Sequence, residues 1–336
     1  MFRSPSAIKR MKFIRSSRLS FPKKDSLGLR QAGFETIGST YNQYIIKELK
    51  NLSRMISYAK DLHSFTLCLD VYDINKEQEL DGICQKLKSL KNISSMIIQL
   101  STIKITEAKV ERLLKITTIQ KKLSKLYISY NGSSILKTGV ISFNKTIASC
   151  KNLADLSVYL GLSIIELPCL LKNKFFSEIS KVIELKALSL TFSEAVNTNK
   201  EFFESITQCF KNLKNLQGLN LTFYSCRNIK DEDLQIMAQQ LSEFNELSHF
   251  SLSLRGVYTA ENINTAIENI SNSVQALKNL KNFEINLDRC VKINEKVLHS
   301  SIHKISAHTS LTNLTLHFGE INIPDSFIML GNLCQL

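Results

Sequence analysis

The chain has 336 residues, of which 43% are apolar and 22% charged, and it carries a formal net charge of +13. That much apolar side chain can bury a sizeable core, while only four prolines, eleven glycines and no tryptophan favour regular elements over loop-rich β structure. No run of about 18 uninterrupted apolar residues occurs and the start has no apolar leader segment, so a soluble chain that is not secreted is expected, cytoplasmic (including cytoskeletal or ciliary) or mitochondrial.

Residues 1–32 form a basic tail: Arg3, Lys9, Arg10, Lys12, Arg15, Arg18, Lys23 and Lys24 all precede the first acid, Asp25. With Ile8, Met11 and Ile14 at helical spacing the tail resembles a mitochondrial presequence. A disordered arm that orders on an acidic partner or nucleic acid is the alternative, and the sequence does not separate the two. Residues 33–61 lie outside the strand frame described next. Their Tyr44, Ile45, Leu49, Leu52, Ile56 and Tyr58 have helical spacing, which suits an N-terminal helical cap.

From residue 62 to residue 320 one frame repeats. In Leu216-Gln217-Gly218-Leu219-Asn220-Leu221-Thr222-Phe223 the apolar residues stand at positions zero, three, five and seven, and the last three share one face of a strand. The same frame opens at Leu62, Ile93, Leu123, Leu153, Leu185, Leu247, Leu280 and Leu311, giving nine registers at intervals of 30 to 33 residues. Between strands the period becomes helical. Leu80, Ile83, Leu87 and Leu90 form one such stripe; Leu171, Phe175, Ile179 and Val182 a second; Ile263, Ile267, Ile270, Val274 and Leu277 a third. Thr198 with Glu201 reads as a capping box opening a helix through Phe202, Ile206, Phe210 and Leu213. A single strand-helix unit cannot bury both its apolar faces, so neighbours must stack, with parallel strands ~4.8 Å apart and helices outside. The expected fold class is α/β, a solenoid of about nine strand-helix repeats. Residues 321–336, with a short helical stretch from Pro324 through Phe327, Ile328 and Leu330 to Gly331, are expected to be the C-terminal cap.

The L-x-x-L-x-L frame followed by a helix resembles the leucine-rich-repeat family, in particular its long ribonuclease-inhibitor-like class. The resemblance implies a horseshoe or arc with a parallel inner sheet. The Lys-Asn-Leu runs and the Ile/Lys/Asn-rich composition are similar to divergent leucine-rich repeats of ciliates, some of them attached to kinase domains, but the chain has no Gly-rich phosphate loop, H-R-D or D-F-G segment. At position eight the family usually has Asn or Cys, whereas here only Asn131 fits, the others being Asp70, Ser101, Gly161, Ser193, Tyr224, Arg255, Asp288 and Gly319. Position seven carries an apolar residue that the family pattern does not require.

In such a fold, positions four and six line the concave face, where partners of this family usually bind. They run from Thr66 to Thr315 and from Cys68 to His317, and they are hydroxyl-rich and nearly uncharged. The candidate contacts are Tyr127, Tyr159, Asn220, Thr222, Glu284, Asn286 and His317, with the two tyrosines, expected on adjacent strands, as aromatic anchors. Ser, Thr and Tyr also suit any exposed sheet, so β propensity alone accounts for much of this face. Lys88 and Lys91, Lys121 and Lys122, Lys211 and Lys214, and Lys278 and Lys281 recur ahead of the strands and would form a ridge along one rim. An acidic partner such as RNA, a tubulin surface or an anionic lipid headgroup is one reading of that ridge, and complementation of helix C-termini is the other.

No catalytic, cofactor or metal site is expected, and the chain is not expected to be an enzyme. His299 and His303 stand four apart without a third ligand, and the eight cysteines show no Cys-x-x-Cys pair, which suits reduced thiols. The expected role is a protein-protein interaction scaffold or structural subunit of a larger assembly, binding through the repeat arc and the basic tail. A nucleic-acid-binding accessory subunit, or an inhibitor-like or ligase substrate-recognition regulator, is the alternative.

Overall fold

The computed structural model describes residues 32–35, 56, 61–69, 77–100, 107–131, 137–161, 174–194, 198–226, 229–257, 263–290 and 293–318. The basic tail, most of the two expected caps and several loops lie outside these residues. The chain comprises two compact units, Met1–Leu156 and Ser157–Leu336.

The first unit contains β1 (Ala32–Glu35), β2 (Ser64–Leu69), α1 (Glu77–Ser89), β3 (Ser95–Leu100), α2 (Glu107–Ile119), β4 (Lys125–Asn131) and α3 (Lys137–Ser149). The boundary between the units falls inside β5 (Asp155–Gly161). The second unit continues with α4 (Phe175–Ile179), β6 (Ala187–Ser193), α5 (Lys200–Asn212), β7 (Gly218–Tyr224), α6 (Asp231–Leu241), β8 (His249–Ser253), α7 (Ile263–Ala276), β9 (Asn282–Asn286), α8 (Glu295–Ser306) and β10 (Asn313–His317). In each unit neighbouring strands are parallel and follow chain order, so each is an open α/β repeat solenoid.

All nine expected frames are strands, and those from β2 to β4 and from β6 to β10 pair without stagger. Position three of one strand faces position three of the next, as Phe65, Met96 and Leu126 do in the first unit and Leu188, Leu219, Phe250, Phe283 and Leu314 do in the second. A slip of one residue would turn every core side chain to solvent, so the apolar alternation itself sets this register. One strand was not expected. β1 pairs with β2, and its Ala32 and Phe34 occupy the register of Phe65 and Leu67. Its frame has no opening leucine, so the period did not reveal it. Within the same stretch Ile56 is helical and buried.

Position seven, which the family pattern leaves open, is core here: Leu100, Tyr130, Leu160, Phe192, Phe223, Leu254 and Leu287 are all buried. Phe192 and Phe223 stack with ring centroids 5.8 Å apart, while Phe202 meets Phe192 edge-on at 5.1 Å. Each such ring contributes roughly 1.5–3 kcal/mol by leaving water, which makes the phenylalanines around β6, α5 and β7 a main source of cohesion in the second unit.

Three sets of hydrogen bonds tie repeat to repeat. Where strands begin, one carbonyl accepts two amides from the following repeat: Ser94 O takes Ser124 N and Lys125 N at 2.9 and 3.0 Å, and Gln217 O takes Ser248 N and His249 N at 2.9 and 3.0 Å. On the return from helix to strand, side-chain amides continue the pattern. Asn152 Nδ2 donates to Lys121 O at 2.8 Å, Asn215 to Ile183 O at 3.1 Å and Asn279 to Asn245 O at 2.7 Å. The asparagine of the Lys-Asn-Leu runs is therefore a cross-repeat donor. Where strands of the second unit end, position nine adopts positive φ in Glu194, Ser225, Gly256 and Arg289, at 58°, 50°, 71° and 60°. The amides of Glu194, Ser225 and Gly256 donate to Tyr224 O, Arg255 O and Asp288 O of the next repeat at 2.8 to 2.9 Å.

The cap of α5 differs from the expected capping box. Asn199, not Thr198, is the N-cap, and its side-chain oxygen accepts Phe202 N at 3.1 Å. Thr198 is buried against the protein, and the amide oxygen of Asn is at least as good a cap as a threonine hydroxyl.

Candidate interaction surface

The open face of each sheet, opposite the helices, is built from strand positions two, four and six, because side chains alternate across a pleated strand. In the first unit Thr66, Ile97 and Tyr127 share a register at position four, with Gln99 and Ser129 beside each other at position six, and all five are half-buried. Tyr127 lies on β4 in the first unit and Tyr159 on β5 in the second, each half-buried on its open face.

In the second unit the structure brings two groups of candidates together. Thr222 Oγ1 donates to Asn220 Oδ1 at 3.3 Å along β7. On β9 and β10 the Glu284 carboxylate and His317 Nε2 approach to 3.2 Å, a diagonal contact, since His317 is opposite Asn286 in the register. Asn286 Oδ1 turns back to accept Asp288 N at 2.9 Å, so that side chain holds the end of β9 as well as facing outward. All of these groups are exposed or half-buried and available to a partner.

Two features of this face were not read from the sequence. Position two contributes a third outward row, in which Lys125 approaches Asp155 at 4.0 Å and Asn313 donates to Asn282 at 2.5 Å. At position eight the Arg255 guanidinium lies over the Tyr224 ring, 5.5 Å from its centroid. Arg255 Nε is buried without a hydrogen-bond partner among the described residues, and the guanidinium meets the ring face there. A tyrosine followed by an arginine at the same position one repeat later was the available signal, but position eight was read only for hydrogen-bonding asparagine.

The chemistry of the thiols is that of a core. Cys84, Cys150, Cys209, Cys226 and Cys290 are free and buried. Burial pushes Cys84 and Cys150 up to about 11, and Cys209 and Cys290 up to about 12, away from nucleophilic thiolate character at neutral pH. Cys68, Cys169 and Cys334 have side chains outside the described residues. His299 and His303 are both exposed on α8, and among the described residues no group of three or more His, Cys, Asp or Glu is placed to hold a metal ion. No helix among them is long and apolar enough to cross a membrane.

Fold and face together define a strand-helix repeat protein whose solvent-facing sheet surface is polar and carries little formal charge. No protein-family model matches the chain, and no curated protein matches it. Among solved structures, the crystal structure of a protein from Bacteroides fragilis is 13% identical and covers 86% of this chain and 73% of its own, with a TM-score of 0.45. A likeness of that depth carries no argument about this chain.

Proposed function

We propose that the chain is a non-catalytic protein-interaction module of leucine-rich-repeat type, ribonuclease-inhibitor-like in its repeat length and similar in sequence to the divergent repeats of ciliates. It serves as a scaffold or structural subunit that binds a protein partner on the open strand face. The observation that carries this reading is the succession of polar side chains facing outward on in-register strands, from Ser189, Asn220, Ser251 and Glu284 to Thr315. Such a surface offers hydrogen bonds and modest apolar area over a long footprint, which suits protein recognition, and its aromatic anchors are Tyr127, Tyr159 and the Arg255-capped Tyr224. The basic tail tethers the module to the same assembly, inside the cell.

The test is quantitative recovery of co-purifying proteins with tagged full chain, with Thr222→Arg/Glu284→Lys, and with residues 1–30 deleted. The double variant should lose its stable partner while keeping the parent's unfolding midpoint, and the deletion should weaken recovery. A partner set unchanged by the double variant places binding elsewhere than on this face. An unchanged set after the deletion removes the tether.

A further inference from the structure

Lysines ahead of the strands divide into two kinds once placed on the repeat. Two residues before each frame, the first four repeats carry Lys60, Lys91, Lys121 and Lys151. Lys60 lies outside the described residues, and the other three are exposed on the return from helix to strand. In the second unit the same position reads Ile183, Lys214, Asn245, Lys278 and Thr309, with acids following at Glu184 and Glu246. Complementing helix C-termini is a need common to all repeats, so it does not account for an unbroken row confined to the first unit.

The neighbouring acids are engaged elsewhere. Asp81 pairs with Arg112 at 3.1 Å, Glu111 with Lys115 at 3.0 Å and Asp155 with Lys125 at 4.0 Å, which among the described residues leaves Asp61 as the exposed acid near the row. No described residue forms an ion pair with Lys91, Lys121 or Lys151. The backbone beneath the row is held where Asn152 donates to Lys121 O at 2.8 Å, and beside it the side chain of Lys122 donates to Asn92 Oδ1 at 2.8 Å.

We propose that this edge of the Met1–Leu156 unit binds the phosphodiester backbone of one nucleic-acid strand without reading its bases. The row stands two residues ahead of a parallel sheet with strands ~4.8 Å apart, so Lys91, Lys121 and Lys151 in file span roughly 10 Å. A nucleic-acid strand presents a phosphate about every 3.4 Å of axis, close to three over that length. A single file of cations matches a linear polyanion better than the plane of a lipid surface, and lysine rather than an aromatic residue at each step provides no stacking platform for bases. The open strand face is not involved, so this surface stands or falls apart from the protein-binding reading.

The experiment is fluorescence anisotropy of a labelled 20-nucleotide single strand with the full chain, between 50 and 200 mM salt. Lys91→Gln/Lys121→Gln/Lys151→Gln should lower the salt slope of log affinity by about 2, from about 0.7 per lost phosphate contact, and weaken binding at 50 mM at least about tenfold. The corresponding triple arginine variant and the second-unit control Lys214→Gln/Lys278→Gln should keep the parent's slope. Because the basic tail is present in every protein compared, its contribution cancels in the difference. Absent binding at 50 mM, or an unchanged slope in the triple glutamine variant, overturns the proposal. So does loss of phosphatidylserine-vesicle binding by that variant with oligonucleotide binding intact, which assigns the row to a membrane surface.

Discussion

Cys290 Sγ lies 3.0 Å from the carbonyl oxygen of Leu254, the core residue at position seven of the preceding repeat. Cys226 makes the equivalent contact with Phe192 O at 3.4 Å. Each thiol is two residues beyond the position where the family pattern usually places Asn or Cys, and it bonds the end of the previous strand from inside the core. Leu254 O also accepts Val257 N at 3.1 Å, so removing the thiol weakens but does not orphan that carbonyl. Cys290→Ala should lower unfolding free energy by about 1–2 kcal/mol, from the lost hydrogen bond and a small cavity, with an unchanged urea m-value. Parental stability in that variant would mean the thiol contributes only bulk that alanine replaces.

The same buried thiols make stability fall in alkali. Their folded-state pKa values lie near 11 for Cys84 and Cys150 and near 12 for Cys209 and Cys290, above the ordinary 9.0. The unfolded chain therefore releases these protons first. The stabilisation is complete below pH 9 and is lost as pH rises from about 9 toward 12, each thiol adding a slope of up to about 1.4 kcal/mol per pH unit. Urea titrations at pH 8, 9.5 and 10.5 should show a shallower decline for Cys209→Ala than for the parent. Identical slopes would show that the thiol at this site titrates as it does in the unfolded chain.

On the return from helix to strand, Asn215 acts as a donor to Ile183 O at 3.1 Å. Asn215→Ala should destabilise by about 0.5–1.5 kcal/mol. Asn215→Asp should cost at least as much, because a carboxylate has no proton to give. If aspartate is tolerated better than alanine in chemical denaturation, the side chain is not serving as a donor.

The left-handed turns at position nine give a prediction of opposite sign at two sites. Gly256 has φ 71°, and Gly256→Ala should cost about 1 kcal/mol or more, whereas Ser225, at φ 50°, should tolerate Ser225→Gly with stability unchanged or raised by up to about 1 kcal/mol. Thermal midpoints of the two variants test this, and a clear loss on Ser225→Gly would show that the serine side chain, not the backbone, holds that turn.

How much of this was legible can be followed from residue to residue. The alternation at Leu219, Leu221 and Phe223 announced β7 and its inward face, and the buried stripe of Phe202, Ile206 and Phe210 was visible as a helical period. β1 escaped because four residues with no opening leucine make no period, and the cap moved from Thr198 to Asn199 because which of two adjacent polar residues is buried is settled by the neighbouring repeat. Of the candidate surface, Glu284, Asn286 and His317 were singled out by position alone. Their hydrogen bonds, the outward row at position two and the stacking of Arg255 on Tyr224 were not.

By itself the sequence determined the strand-helix repeat, its nine registers, its core positions and the outward placement of the polar row, because each follows from periodicities of two or 3.6 residues that local geometry imposes. Only the tertiary structure decided which groups join repeat to repeat: the thiol of Cys290 on Leu254, the amide of Asn215 on Ile183, the carboxylate of Glu284 beside His317. Those partners are about thirty residues apart in the chain. Their meeting depends on how closely successive repeats stack and on the path of the turns between them, which no local pattern encodes.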